Sequence, residues 1–203
     1  MPRLVNPVVA PGTWGSLPQP TIVGEGFTLR PWVSLDAEVL EQAYADPVIQ
    51  QWHVRCLTLG EAHEWISERK RRWVNETAAD WAVTVERQVV GRVAFCAINL
   101  VEGRAEVSYW TGPQHRGQKI SPRALEALTV WATATGGLRR LELEHAVGNQ
   151  ASCRVALRCG YAVEGTAVRS VLHADGWHDM HLHGYTSTSH YYPAYSLIAP
   201  GPP

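Results

Sequence analysis

Between residues 79 and 160 the hydrophobic pattern changes period, and that change limits what the chain can fold into. Trp81, Val83 and Val85 alternate, residues 89 to 98 form an apolar run, and Ala105, Val107 and Tyr109 alternate again after a turn at Glu102-Gly103. Strands this closely spaced predict an antiparallel meander. From Pro122 the period becomes helical to Ala134, then strand-like from Leu141 to Val147, then helical again from Asn149 to Cys159, with Gly160 as a left-handed stop. A helix between two strands is a crossover, so the meander must run into a parallel pair. The expected class is therefore mixed α/β.

The flanks extend this core. Phe27 to Trp32 reads as a strand, and Asp36 to Tyr44 as a helix ended by Asp46-Pro47, because the residue before proline is pushed out of the helical region. Thr58 and Glu61 have capping-box spacing, and Ala62, Trp65, Ile66 and Trp73 follow on one helical face. Two strand-like runs near the end meet at Asp175-Gly176, a hairpin signal. Nine of the 13 prolines lie in the first twenty or last eleven residues. Residues 1–20 thus read as an extended Pro/Gly-rich arm outside the core, 21–189 as the folded domain and 190–203 as a Pro-rich tail. Such arms can also dock on a neighbouring subunit of a homodimer.

Charge excludes several partners. The 203 residues carry a net charge of -1, and the 18 basic residues divide into 16 Arg and two Lys, Lys70 and Lys119. Nucleic acid and anionic membrane surfaces are bound with clustered positive charge, and none is present; Lys70, Arg71 and Arg72 read as a solvated helix face. No apolar stretch approaches the ~18 residues of a membrane span and no basic-then-apolar leader opens the chain, so the cytoplasm is the expected compartment. Cys56, Cys96, Cys153 and Cys159 lack zinc or redox spacing and read as free, mostly buried thiols. On one helix Cys153 and Cys159 would stand roughly 9 Å apart, beyond the ~7 Å reach of a disulfide.

Two segments carry chemistry. Pro113 to Pro122 (PQHRGQKISP) joins a strand to a helix. Such a turn leaves several N–H groups without intrahelical partners and aims them, with the positive end of the helix dipole, at any anion in front. Gly117 permits close backbone approach and Arg116 adds a charge suited to phosphate. The second segment, Asn149 to Arg154 (NQASCR), opens another helix with Asn149 as N-cap and Ser152, Val155, Ala156 and Cys159 on one face.

The run Ala105 to Trp110 (AEVSYW), the Arg116-Gly117 loop, the Asn149-x-x-Ser152 opening and Gly160-Tyr161-x-x-Glu164-Gly165 together resemble the GNAT superfamily of acyl-CoA-dependent N-acyltransferases. The branch most resembled is the RimJ/RimL ribosomal-protein N-terminal acetyltransferases. The resemblance implies a twisted mixed sheet of about seven strands, helices on both faces and a splayed central parallel pair, here residues 105–111 and 139–147. It implies acetyl-CoA or another acyl-CoA as co-substrate, no metal, and a primary amine of a peptide, protein N-terminus or small metabolite as acceptor. Backbone groups around Val107, Tyr109 and Trp110 would meet the pantetheine. Arg116, Gly117, Gln118, Lys119, Ile120 and Ser121 would hold the pyrophosphate, with Asn149 and Arg154 on the next helix. Ser152 matches the serine that protonates the leaving thiolate.

The base is less direct. The glutamate that RimL-like enzymes use falls on Val171, which cannot accept a proton. Glu106 matches a glutamate common in the family's central strand, so the resemblance makes it the expected base, acting through water, with His173 in reserve. Lys119 stands where the family pattern wants a very small residue, and Ser108 replaces a common glycine. Trp52, His53, Trp65 and Trp73 divide between core and acceptor pocket. His178, His181 and His183 suggest a metal by alternation, but no cysteine or acidic residue has ligand spacing with them, which favours ordinary strand positions. The competing functions are a GNAT-fold module that binds acyl-CoA or a peptide without turnover, and an antibiotic-modifying acetyltransferase, for which Glu61, Glu64 and Glu68 are too dispersed to form an acidic pocket.

Overall fold

A computed structural model describes residues 5–187; the predicted tail at 190–203 and residues 1–4, 188 and 189 lie outside them. Its order is β1 (Ile22–Gly24), β2 (Phe27–Pro31), α1 (Ala37–Ala45), α2 (Pro47–His53), α3 (Leu59–Val74), β3 (Ala79–Val85), β4 (Gln88–Asn99), β5 (Arg104–Thr111), α4 (Ile120–Ala134), β6 (Arg140–Ala146), α5 (Gln150–Arg158), β7 (Ala162–His173) and β8 (Gly176–Thr186). The strands form one eight-stranded sheet in the order β1-β2-β3-β4-β5-β6-β8-β7, so β1 is added to the expected set of about seven.

Local chemistry sets the boundaries. Asp46 is extended (φ -69°, ψ 124°) because Pro47 follows it, and this ends α1. Its carboxylate then accepts from Ile49 N at 3.0 Å, so one residue closes α1 and caps α2, a helix not foreseen from the sequence. Thr58 and Glu61 form the predicted capping box on α3. The β7–β8 turn falls at Ala174 and Asp175, one residue earlier than the dipeptide signal, and Gly176 (φ +126°) opens β8.

The parallel pairing of β5 with β6 runs only from Arg104↔Arg140 to Val107↔Leu143, although β5 continues to Thr111. Beyond Leu143, β6 stays paired with β8 as far as Ala146↔Met180. The strands therefore part, and a bulge in β4 between Phe95 and Ala97, opposite Glu106 and Val107, adds local twist there. Side chains alternate across this opening. Ala105 and Val107 enter the core beneath α4 and α5 with Leu125, Leu128 and Ala156. Trp110 enters a second core with Leu40, Trp65 and Ile66 of α1 and α3.

Two expectations are corrected. Residues 5–20 are not outside the core: Val9 and Trp14 are buried in it, and the arm bonds to the domain through Val8 N→Val101 O (3.1 Å) and Val9 N→Leu100 O (3.0 Å). The four cysteines are free, but Cys56 is exposed and the other three are half-buried.

Candidate active site

The loop after β5 and the N-terminus of α5 face each other across a cleft of about 520 Å³. Gly117 (φ +80°) and Lys119 (φ +58°) turn the chain into α4, and among the described residues the amides of Gly117, Gln118 and Lys119 donate to no main-chain group. On the facing side Asn149 Oδ1 accepts from Ser152 N at 3.1 Å and caps α5. Arg116, Lys119, Arg154 and Arg158 line the cleft. Two helix N-termini, unpaired amides and several cations make a site for a polyanion, and they fit the diphosphate expected there.

Arg116 does not face the cleft as a free charge. It pairs with Asp46, which ties the loop to the α1–α2 junction. Burial works against the Asp46 carboxylate, yet Arg116 and the amides of Ile49 and Val48 together hold its pKa below the ordinary range. Gln118 bonds back to Gln114 O at 3.2 Å and lies outside the cleft lining. Arg158 was missed by the sequence reading, although it stands four residues from Arg154 and so shares its helix face. Ile120 and Ser121 line the cleft, with Ser121 Oγ 2.6 Å from Thr111 Oγ1.

Lys119 explains its own oddity. It caps α4 in the left-handed region without a side-chain cap bond, and its side chain is exposed. A small residue suits this position because glycine adopts that backbone freely, whereas a lysine there carries about 1–2 kcal/mol of strain. Lys119→Gly is therefore expected to raise the melting temperature slightly and to leave CoA affinity within about tenfold, about 1.4 kcal/mol, by calorimetry.

A second cavity of about 290 Å³ opens on the other side of the parted strands, lined by Glu106, Glu144, Val171, His173 and Met180 among others. The two cavities share Trp52, His53, Tyr109, Asn149 and Ser152. At this junction the Tyr109 hydroxyl lies 2.9 Å from Ser152 Oγ. Burial raises the Tyr109 phenol well above its ordinary pKa despite that bond, so it stays protonated. Tyr109 was expected to contribute its backbone; its hydroxyl is the larger finding.

The remaining candidates separate by face. Glu106 is half-buried in the wall of the second cavity. Val171 and His173 share that wall, as two-residue alternation predicts. His173 is buried, its Nδ1 has no partner, and its ring stacks on His178 at 4.5 Å; burial and His178 together lower its pKa. His53 Nε2 donates to Tyr109 O at 3.2 Å, and burial and then Arg92 bring its pKa down to about 4, so the ring is neutral at pH 7. Trp52 meets His173 edge-on at 5.9 Å, whereas Trp65 and Trp73 belong to the cores. The three β8 histidines do not act together: His178 bonds Asp175 at 2.7 Å, while His181 and His183 have opposite parity and turn toward α5.

Residues 27–162 match the model of the acetyltransferase (GNAT) domain. The ribosomal-protein-serine acetyltransferase of Escherichia coli (strain K12) is 34% identical over 98 residues, 48% of this chain and 55% of that protein, so the chain spans little more than half the length of this relative. A putative ribosomal-protein-serine acetyltransferase from Vibrio cholerae superposes with TM-score 0.72 at 26% identity, covering 84% of this chain and 99% of that one. RimL, a ribosomal alpha-N-protein acetyltransferase in complex with coenzyme A, superposes with TM-score 0.78 at 22% identity over 82% and 98% of the two chains, which is a likeness of fold. Among the described residues no helix is long and apolar enough to cross a membrane.

Proposed function

Because the chain belongs to the GNAT acetyltransferase domain family, we propose that it is an acetyl-CoA-dependent N-acetyltransferase whose acceptor is a primary amine of a peptide or protein N-terminus. The observation that carries this reading is the Ser152–Tyr109 hydroxyl pair at the junction of the two cavities. Bound acetyl-CoA supplies a thioester that a neutral amine attacks directly. The loop amides and Lys119, Arg154 and Arg158 hold the diphosphate, and β5 beyond Val107 is released from β6 beside the pantetheine, with Tyr109 O held by His53 Nε2. Ser152 Oγ donates a proton to the departing sulfur and is reprotonated from solvent through the Tyr109 hydroxyl, which takes up one proton as it passes one on and so stays protonated. Relatives named for ribosomal-protein substrates support a protein N-terminus as acceptor, and Trp52 and His53 form the wall against which it rests. The reading carries a cytoplasmic location, since the donor is a cytoplasmic metabolite.

Glu106 is the proposed base, because it faces the acceptor cavity where Val171 offers no proton acceptor. Glu106→Gln is expected to lower kcat/KM at pH 7 by about 10²-fold or more. Full activity at every pH would pass the role to His173, whose lowered pKa sets an acidic limb below the usual imidazole value. The overall reading is tested by thiol release from acetyl-CoA with N-terminal peptides and small amines, alongside calorimetry with CoA. Binding without release on any acceptor supports a non-catalytic acyl-CoA module instead, and absence of binding overturns both.

A further inference from the structure

Beneath the first turns of α5, side chains from three elements converge on one point. His145 of β6 lies directly opposite His181 of β8, and His183 is two residues further along β8, so all three imidazoles stand on the sheet face that α5 covers. Cys153 comes down from α5. Each of these four residues offers one ligand atom, and the four atoms lie within 4.8 Å of one another. Spacing alone favours ordinary strand positions for His178, His181 and His183, because no cysteine matches them in sequence; the fold supplies the cysteine from a separate helix.

The hydrogen bonds around the cluster leave it incomplete. His145 Nδ1 lies 2.8 Å from Ala146 O, and His183 Nδ1 lies 3.0 Å from Tyr161 O. A carbonyl only accepts, so each Nδ1 carries the ring proton and each Nε2 presents a lone pair. Those two Nε2 atoms are 3.0 Å apart in a buried setting. Two lone pairs that close repel unless a cation lies between them. His181 Nδ1 is also buried, with no partner among the described residues. In a tetrahedral site with Zn–N near 2.05 Å, two ligand nitrogens stand about 3.3 Å apart, close to the separation observed. A carbonyl accepting from the second ring nitrogen is the usual support of a metal-bound histidine.

We propose that His145, His181, His183 and Cys153 form a tetrahedral N₃S site for a zinc-type divalent cation, which clamps the start of α5 to β6 and β8. Binding forms one M–S and three M–N bonds and releases the Cys153 thiol proton to solvent. The transfer chemistry uses no metal, so the site is structural and independent of the proposed reaction: it fixes the helix that carries Ser152. Zinc and cobalt(II) titrations of chelator-stripped full-length protein test it. The expected result is one equivalent bound, the intense visible bands of tetrahedral cobalt(II), a thiolate-to-cobalt charge-transfer band and a higher melting temperature with zinc. Cys153→Ser should lose the charge-transfer band and bind at least tenfold more weakly, while His178→Ala leaves both unchanged. Zinc-edge X-ray absorption on the unmutated protein should show one sulfur and three nitrogens, a readout that does not depend on any variant folding. No stoichiometric binding, a sulfur-free shell, or loss of binding in His178→Ala would overturn the proposal.

Discussion

Ser152→Ala and Tyr109→Phe are each expected to lower kcat by about 10²–10⁴-fold, the usual contribution of a positioned general acid, and the double variant should lose little more than either. The two hydroxyls lie 2.9 Å apart, and the Tyr109 hydroxyl is also 3.3 Å from Ser152 O, so one proton path passes through both. Removing Ser152 Oγ takes away the proposed acid; removing the phenol leaves Ser152 without a protonated neighbour. Groups that act as a unit give non-additive losses. KM for acetyl-CoA should change little, since neither hydroxyl belongs to the cation-lined part of the cleft. Additive losses in the double variant would mean that the residues act separately, and an unchanged kcat in Ser152→Ala would remove it from the reaction. Steady-state kinetics of the three variants with a fixed acceptor peptide decide among these outcomes.

The site was legible where its chemistry is local. The Gly117 turn and the Asn149 cap are signals within five residues, and both stand where the sequence put them. The change from meander to crossover gave the parallel pair, because periods of two and 3.6 are recorded in the sequence itself. What stayed hidden depends on where separate elements meet. Arg116 looked free for phosphate because its partner, Asp46, lies 70 residues earlier. The Tyr109 hydroxyl gains its role from a serine 43 residues away. Cys153 could not be matched to the β8 histidines by spacing, since α5 and β8 come together only in the fold. Lys119 has a left-handed backbone, which suits a small residue and which no side-chain pattern encodes.

The N-terminal arm was misread for the same reason, and it leads to the largest expected effect on stability. Proline and glycine density suggested a strand of chain outside the core, yet Trp14 is buried between Trp73 (5.7 Å, stacked), Trp131 (5.1 Å) and Phe95 (6.2 Å), with its indole N–H donating to Gly136 O at 3.0 Å. Glu76 holds the arm in place by accepting from the amides of Gly12 (2.7 Å), Trp14 (2.7 Å) and Gly15 (3.0 Å). Trp14→Ala should cost about 3–5 kcal/mol in chemical denaturation, the usual penalty for emptying an aromatic site, which is a large share of a stability of about 5–15 kcal/mol. Glu76→Gln weakens three charge-assisted bonds and should cost about 1–3 kcal/mol. Its pH dependence identifies the cause. Burial opposes the Glu76 carboxylate, but the three amides outweigh it and hold its folded pKa below the ordinary value. The stability it contributes is therefore fully present above the unfolded pKa of about 4.3 and is lost as pH falls through the lower folded value. The gap between native protein and Glu76→Gln should stay constant from neutral pH to about pH 5 and narrow below it. A gap independent of pH down to acid unfolding would mean that the carboxylate charge is not what secures the arm, and a Trp14→Ala variant as stable as the native protein would return the arm to the surface.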